Sequence, residues 1–278
     1  MGNTNNAAKP VCLVQVTDPH LFAGQEQRLL NIDTSASLKG VLAAVQAHEQ
    51  PDVLLATGDI TQDGHADAHQ RFIDCARPLA PLLRGLPGNH DSNDTFYRVW
   101  QDHAQPVTDV GNWRIVLLDS TIESSNAGHL ADDQLALLDT ACKQAKDKHV
   151  LVAVHHNPVP VGSLWLDSMM IDNGHALLAL LNNHPNVVAL VWGHVHQEWD
   201  STVNYGLAGP HATQARQLRL LSCPATSLQF TPQSARFSVD DAQPGYRRIW
   251  LHPDGRLDTE VVRVQGLDIC PDHTSGGY

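Results

Sequence analysis

Residues 186–196 read NVVALVWGHVH. An apolar run of strand length stops at Gly193 and delivers two histidines, His194 and His196, one residue apart. Four other stretches follow the same plan. VCLVQVTDPH (11–20) ends on Asp18 and His20, DVLLATGD (52–59) on Asp59, LLRGLPGNHD (82–91) on Asn89, His90 and Asp91, and HVLVAVHH (149–156) on His155 and His156. Runs this apolar read as strands buried on both faces. An α/β fold places its chemistry where such strands end, along one edge of the sheet.

Helical patterns separate these strands. Thr34 can cap a helix running to about Glu49, with Leu38, Val41, Leu42 and Val45 on one face and Pro51 beyond its end. Further helices are expected over 66–77, 92–103, 132–147 and 174–183. In 132–147, Asp132 and Asp133 begin the helix and lysines close it, as the helix dipole favours. After residue 200 the period changes to two, in RLLSC, YRRIWLH and LDTEVVRV, with Asp254-Gly255 as a hairpin turn. The expectation is an α/β chain with one domain over 10–265, flexible termini at 1–9 and 266–278, and a loop insertion over 201–217.

A formal charge of −12 argues against a nucleic-acid backbone or an anionic membrane as partner. It leaves room for a small phosphorylated substrate, since bound cations would dominate the local field. No apolar run reaches the ~20 residues that span a bilayer. Residues 1–9 show no signal peptide, and Asn6 breaks the myristoylation pattern that starts at Gly2. Five scattered cysteines do not read as a disulfide framework, and Cys12, Cys75 and Cys142 are expected to be buried. A soluble, cytoplasmic protein is the expectation.

The strand-end residues form a metal-binding set. In extended chain, residues i and i+2 share a side, so Asp18 can reach one ion together with His20. His194 and His196 have the same spacing. Asp59 has two oxygens to bridge two ions, and Asn89 offers a neutral carbonyl. Glycines 58, 88 and 193 let the backbone approach the site closely. Mixed oxygen and nitrogen donors without thiolate suit Mn²⁺, Fe²⁺, Co²⁺ or Zn²⁺ better than Ca²⁺ or Cu(I), and an all-oxygen site would be needed to favour Mg²⁺.

The ordered set D-x-H, GD, GNHD, H and GHxH resembles the calcineurin-like metallophosphoesterase superfamily. The segments HHNPVPVGSLWLD, WGHVHQEWD and ATSLQFTP with DDAQPGYRRIWLHPDG are similar to its bacterial class III cyclic-nucleotide phosphodiesterases. The resemblance implies two mixed β-sheets packed as a sandwich flanked by helices. It implies one ion, Mn or Fe before Zn or Co, on Asp18, His20, Asp59 and His196. A second would sit on Asp59, Asn89, His155 and His194. The implied reaction is hydrolysis of 3′,5′-cyclic AMP to 5′-AMP, by in-line attack of a metal-bound hydroxide.

In that reaction His90 would contact the phosphate and protonate the leaving oxygen, with Asp91 orienting it. His156, Trp165 and Asp167 would line the entrance. His48, His69, His149 and His184 read as surface residues. Asn157 replaces the family's usual Pro or His, and the 201–217 insertion is expected near the substrate entrance. Glycerophosphodiesters are the alternative substrate. A non-catalytic scaffold is disfavoured because every ligand position and His90 are intact. A phosphomonoesterase would need cations for a dianion, and only Arg28, Arg84 and Arg98 lie near the motifs in sequence.

Overall fold

The computed structural model describes residues 9–48, 50–205 and 216–277. In chain order the first elements are β1 (Val11–Val16), α1 (Thr34–Ala47), β2 (Val53–Thr57), α2 (Ala66–Ala76), β3 (Leu82–Leu86) and α3 (Asn93–Trp100). Next come β4 (Val107–Val110), β5 (Trp113–Leu117), α4 (Asp132–Gln144), β6 (His149–Ala153), α5 (Leu164–Asp167), α6 (Gly174–Asn182) and β7 (Val187–Trp192). The chain continues with β8 (Trp199–Tyr205), β9 (Arg216–Ser222), β10 (Gln229–Phe230), β11 (Val239–Asp240), β12 (Gly245–Leu251) and β13 (Leu257–Arg263).

Two large mixed sheets result, in the orders β13-β12-β1-β2-β3 and β4-β5-β6-β7-β9-β8, with β10 and β11 pairing apart. β1, β2 and β3 run parallel, as do β5, β6, β7 and β9; the flanking strands are antiparallel. Strand alternation sorts the core into three layers. Leu13, Leu55 and Leu86 of one sheet meet Ile115, Leu151 and Val191 of the other. Val14, Val16 and Leu54 turn outward onto α1, α2 and α3. Val150 and Val152 turn outward onto Leu138 of α4 and Leu177 of α6. This is the expected sandwich flanked by helices. Polar side chains also sit between the sheets: the Gln15 amide donates to Thr57 Oγ1 (3.0 Å) and across to Trp192 O (2.9 Å), and its neighbour Arg247 donates across to Ser222 O (2.8 Å).

Several local expectations shift. Asp33, not Thr34, caps α1, its carboxylate accepting from Ala36 N at 2.8 Å. Thr34 Oγ1 donates instead to His20 O at 3.0 Å, tying the helix start to the loop that follows β1. The end expected at Glu49 lies outside the described residues. Residues 201–205 and 216–217 are strand, in register across β8 and β9, and 206–215 lie outside the described residues. Tyr205 and Arg216 bond Leu178, Leu181 and Val187, at the start of β7, so this connection leaves from the edge opposite the site.

Residues 266–277, expected to be loose, run back over the molecule. Leu267 packs on both outer cores, Asn31 Nδ2 donates to Cys270 O (3.0 Å) and Asp272 N to Leu30 O (2.9 Å). Cys75 is exposed, contrary to its apolar context, whereas Cys12 and Cys142 are buried. Among the described residues no helix is long and apolar enough to cross a membrane.

Candidate metal centre

All five motif segments meet along one edge of the sandwich, just past the C-terminal ends of β1, β2, β3, β6 and β7. Asp18, His20, Asp59, His155, His194 and His196 are all buried, while Asn89 and His90 are half-buried. His20 Nε2 and His196 Nε2 face each other at 3.2 Å, with Asp18 Oδ1 3.3 Å from His196 Nε2. His155 Nε2 lies 3.1 Å from Asn89 Oδ1 and 3.3 Å from Asp59 Oδ2. Asp59 Oδ2 is also 3.8 Å from His20 Nε2, so one oxygen stands between the two groups.

The far side of each ring decides what the near side presents. His20 Nδ1 donates to Gln62 Oε1 (2.7 Å), His196 Nδ1 to Leu228 O (2.9 Å) and His155 Nδ1 to Thr57 O (2.8 Å). With Nδ1 donating, each Nε2 faces the other nitrogens and carboxylate oxygens of the cluster. His194 Nε2 is buried and has no hydrogen-bond partner. So many nitrogen and oxygen acceptors converging in a dry site call for cations or protons between them. The residues fit divalent metal, and four overlapping groups of these side chains have ligand atoms within 4.8 Å of one another.

The protonation pattern of the bare cluster agrees. Burial drives His20 down to about 3 and holds His156 and His194 well below the ordinary imidazole range. Burial alone would also lower His155, but the Asp59 carboxylate overrides it and raises the ring to about 9. Burial would raise Asp59, yet His155, His90 and His20 outweigh it and keep the carboxyl well below the usual range.

The backbone differs from the extended spacing the sequence suggested. Asp18, His20, Asp59, His194 and His196 all have positive φ, between 47° and 63°. Non-glycine residues rarely occupy this region, and several together mark a site that the fold holds under strain. The i, i+2 pairs still converge, but through left-handed turns. Gly193 is required where it stands, because a Cβ there would lie 2.1 Å from Thr17 Oγ1 and 2.7 Å from Thr57 O.

Other expectations are corrected. Asp91 does not serve His90; its carboxylate accepts from the Gly88, Ile60 and Thr61 amides and from Thr61 Oγ1, at 2.9–3.1 Å, clamping the β2 and β3 loops together. His156 is fully buried beside His155 and His194, with Nδ1 on Ser120 Oγ at 2.8 Å, and does not line an entrance. Asp167 folds onto the Val161 and Gly162 amides (2.7 and 3.1 Å). His69 and His184 are buried, not surface: His69 Nδ1 accepts from Trp100 Nε1, and His184 Nε2 meets Asp139 at 2.9 Å. Asn157 bonds Val159 O and stands outside the cluster. Arg28, Arg84 and Arg98 are bound to Asp33, Thr108 and Thr95, away from the cleft.

A cleft of about 200 Å³ opens beside the cluster. Asn89, His90 and His196 form one side, and Trp165 lines it as expected, joined by Phe230 and Phe237. Gly276 and Gly277 of the tail line it too. Sequence reasoning missed Gln62, three residues past Asp59, and the Phe230 and Phe237 pair.

Fold and site together define a class. The chain belongs to the calcineurin-like phosphoesterase family, whose model matches residues 13–198. It is similar to the 3′,5′-cyclic adenosine monophosphate phosphodiesterase CpdA of Pseudomonas aeruginosa, 44% identical over 99% of this chain and 98% of that one. The protein of the same description from Escherichia coli strain K12 is 36% identical over 96% and 95%. A solved dimetal phosphatase from Danio rerio shares the fold at TM-score 0.58 and 17% identity, over 92% of this chain and all of the other.

Proposed function

We propose that this protein hydrolyses 3′,5′-cyclic AMP to 5′-AMP with two divalent ions. The observation that carries the reading is the set of imidazole Nε2 atoms and buried carboxylates converging beside half-buried His90. We assign one ion to Asp18, His20, Asp59 and His196, and the other to Asp59, Asn89, His155 and His194, with Asp59 shared. The placement of Asp59 Oδ2 between His155 (3.3 Å) and His20 (3.8 Å) supports the sharing. The imidazoles suit Fe²⁺ and the carboxylate and amide oxygens suit Mn²⁺, which we take as the ions, with Zn²⁺ or Co²⁺ as substitutes. When bound, such ions supply Lewis acidity toward the phosphoryl oxygens and activate water at neutral pH.

The protein's own groups do the rest. His90 donates its backbone N–H to Asp59 Oδ1 at 2.8 Å, which fixes where its ring begins, and it lines the cleft. There it can contact the phosphate and protonate O3′ as the P–O3′ bond breaks, leaving the phosphate on O5′. Asn89 lends a carbonyl without adding negative charge. Among the described residues no arginine lines the cleft, which suits a monoanionic diester better than a dianionic monoester. The name borne by the 44% identical relative supports the same substrate. We place the protein in the cytoplasm, since its five free thiols suit a reducing compartment.

The test is hydrolysis of 3′,5′-cyclic AMP by metal-stripped protein reloaded with Mn²⁺ or Fe²⁺, following 5′-AMP, with Asn89→Ala as control. Metal-dependent turnover that the variant loses supports the reading. An artificial diester cleaved while 3′,5′-cyclic AMP is not would sink the substrate and keep the chemistry.

A further inference from the structure

A diester held at Asn89 and His90 has two directions in which to lay the rest of its bulk. On one side is a cleft of about 410 Å³ lined mostly by polar residues, with Asp91, Asp94 and Glu123 among them. On the other is the aromatic cleft of about 200 Å³. Its back wall is Phe230, 4% exposed and stacked on the His196 ring at 4.1 Å between centroids and 15° between planes. Trp165 meets Phe230 edge-to-face at 4.8 Å and Phe237 at 5.2 Å. Trp165 and Phe237 are half-buried, held by this packing with part of each ring toward the cleft.

The two clefts suit different chemistry. The carboxylates of the larger cleft repel an anionic nucleotide and offer no face for stacking. An aromatic cleft too small for a whole nucleotide fits a flat, uncharged heterocycle. Bases bind aromatic side chains by stacking, and losing one such ring costs about tenfold in affinity or more. We infer that the purine base of the cyclic nucleotide seats against Trp165 and Phe237, with Phe230 behind them. These residues then set the preference for a nucleotide over a base-free diester. The inference rests on the cyclic-nucleotide reading above. Phe230 also connects the base to chemistry, because the ring it backs is that of His196.

The test compares 3′,5′-cyclic AMP with the 3′,5′-cyclic phosphate of methyl riboside, which keeps the diester and lacks the base. In metal-loaded Trp165→Ala and Phe237→Ala, the ratio of kcat/KM for the two substrates should fall about tenfold or more, chiefly through KM. Trp165→Phe should restore most of it. Leu164→Ala, neighbouring but 67% exposed, should keep the original ratio. Calorimetric binding of 5′-AMP, which needs no turnover, should weaken in step with the ratio in each alanine variant. An unchanged ratio, or parallel losses on both substrates, overturns the base site. A parent enzyme that cleaves the base-free substrate as well as 3′,5′-cyclic AMP overturns it too. Should the parent cleave neither while still hydrolysing an artificial diester, the cyclic-nucleotide reading itself has failed.

Discussion

The two walls of the cleft are built by opposite means. On the inner wall, side chains leave the ends of five strands, five of them from left-handed backbone, and the far nitrogens of His20, His155 and His196 are each fixed to a protein oxygen. On the outer wall, Trp165 and Phe237 are placed by ring packing, and Gly276 and Gly277 arrive on a tail tied at Leu30 and Asn31. On the reading proposed above, chemistry that depends on fractions of an ångström is mounted on the sheet, and contact with the rest of the substrate falls to segments outside it.

If that division holds, changes at the inner wall should be severe and indifferent to substrate. The largest effect is expected for Asp59→Asn, whose oxygen lies between both imidazole groups. Both ions should be lost and turnover abolished, as elemental analysis beside the assay would check; a variant that keeps two ions breaks the bridging assignment. His90→Ala should follow, with ~10²–10⁴ lost from kcat and metal content intact. A diester with a nitrophenolate leaving group needs no protonation, so His90→Ala should recover much of that loss on it. Equal losses on both diesters would remove His90 as the proton donor.

Gln62 should show how far the inner wall extends. It does not line the cleft and holds His20 through Nδ1 at 2.7 Å. Gln62→Ala should weaken metal affinity about 10–100-fold. Excess metal should restore kcat, and Gln62→Glu should retain tight binding, since it still accepts from Nδ1. A kcat loss that no metal concentration rescues would point to a different role.

The same contrast explains what the sequence could show. Strand ends carrying Asp18, Asp59, Asn89, His155, His194 and His196 were legible because burial on both faces makes the strands continuous apolar runs, and the site residues interrupt them. Even so, the inferred reason for the i, i+2 pairing was wrong, since the pairs sit in left-handed turns that extended-chain spacing does not describe. His156 and His69 looked peripheral because burial of a histidine depends on partners far away in sequence, here Ser120 and Trp100. Asp91 looked like a partner for its neighbour His90, but its carboxylate is taken up by loop amides. Phe230, Phe237 and the tail glycines carry no periodic signal. They gather only once β10 and the chain end come to rest beside β7.

The smallest effect should come from the tail, and it separates wall from core. Removing residues after Cys270 takes away Gly276 and Gly277 and the His273–Asp241 pair (2.9 Å), but spares the Leu267 and Ile269 packing. Both partners of that pair are largely exposed, so it contributes little to stability. The truncated protein should therefore melt close to the parent and keep both ions. Its KM for a large diester should fall relative to a small one, because one lining of the cleft is gone. Thiol labelling offers an independent check on the fold. Cys75 and Cys270 are exposed, whereas burial pushes Cys142 up to about 11 and Cys223 up to about 12. Two thiols should react in the native parent, and the truncated form should not expose the buried ones. If truncation instead released metal or exposed Cys223, the tail would belong to the inner wall, and the division drawn here between fixed chemistry and adjustable recognition would fail.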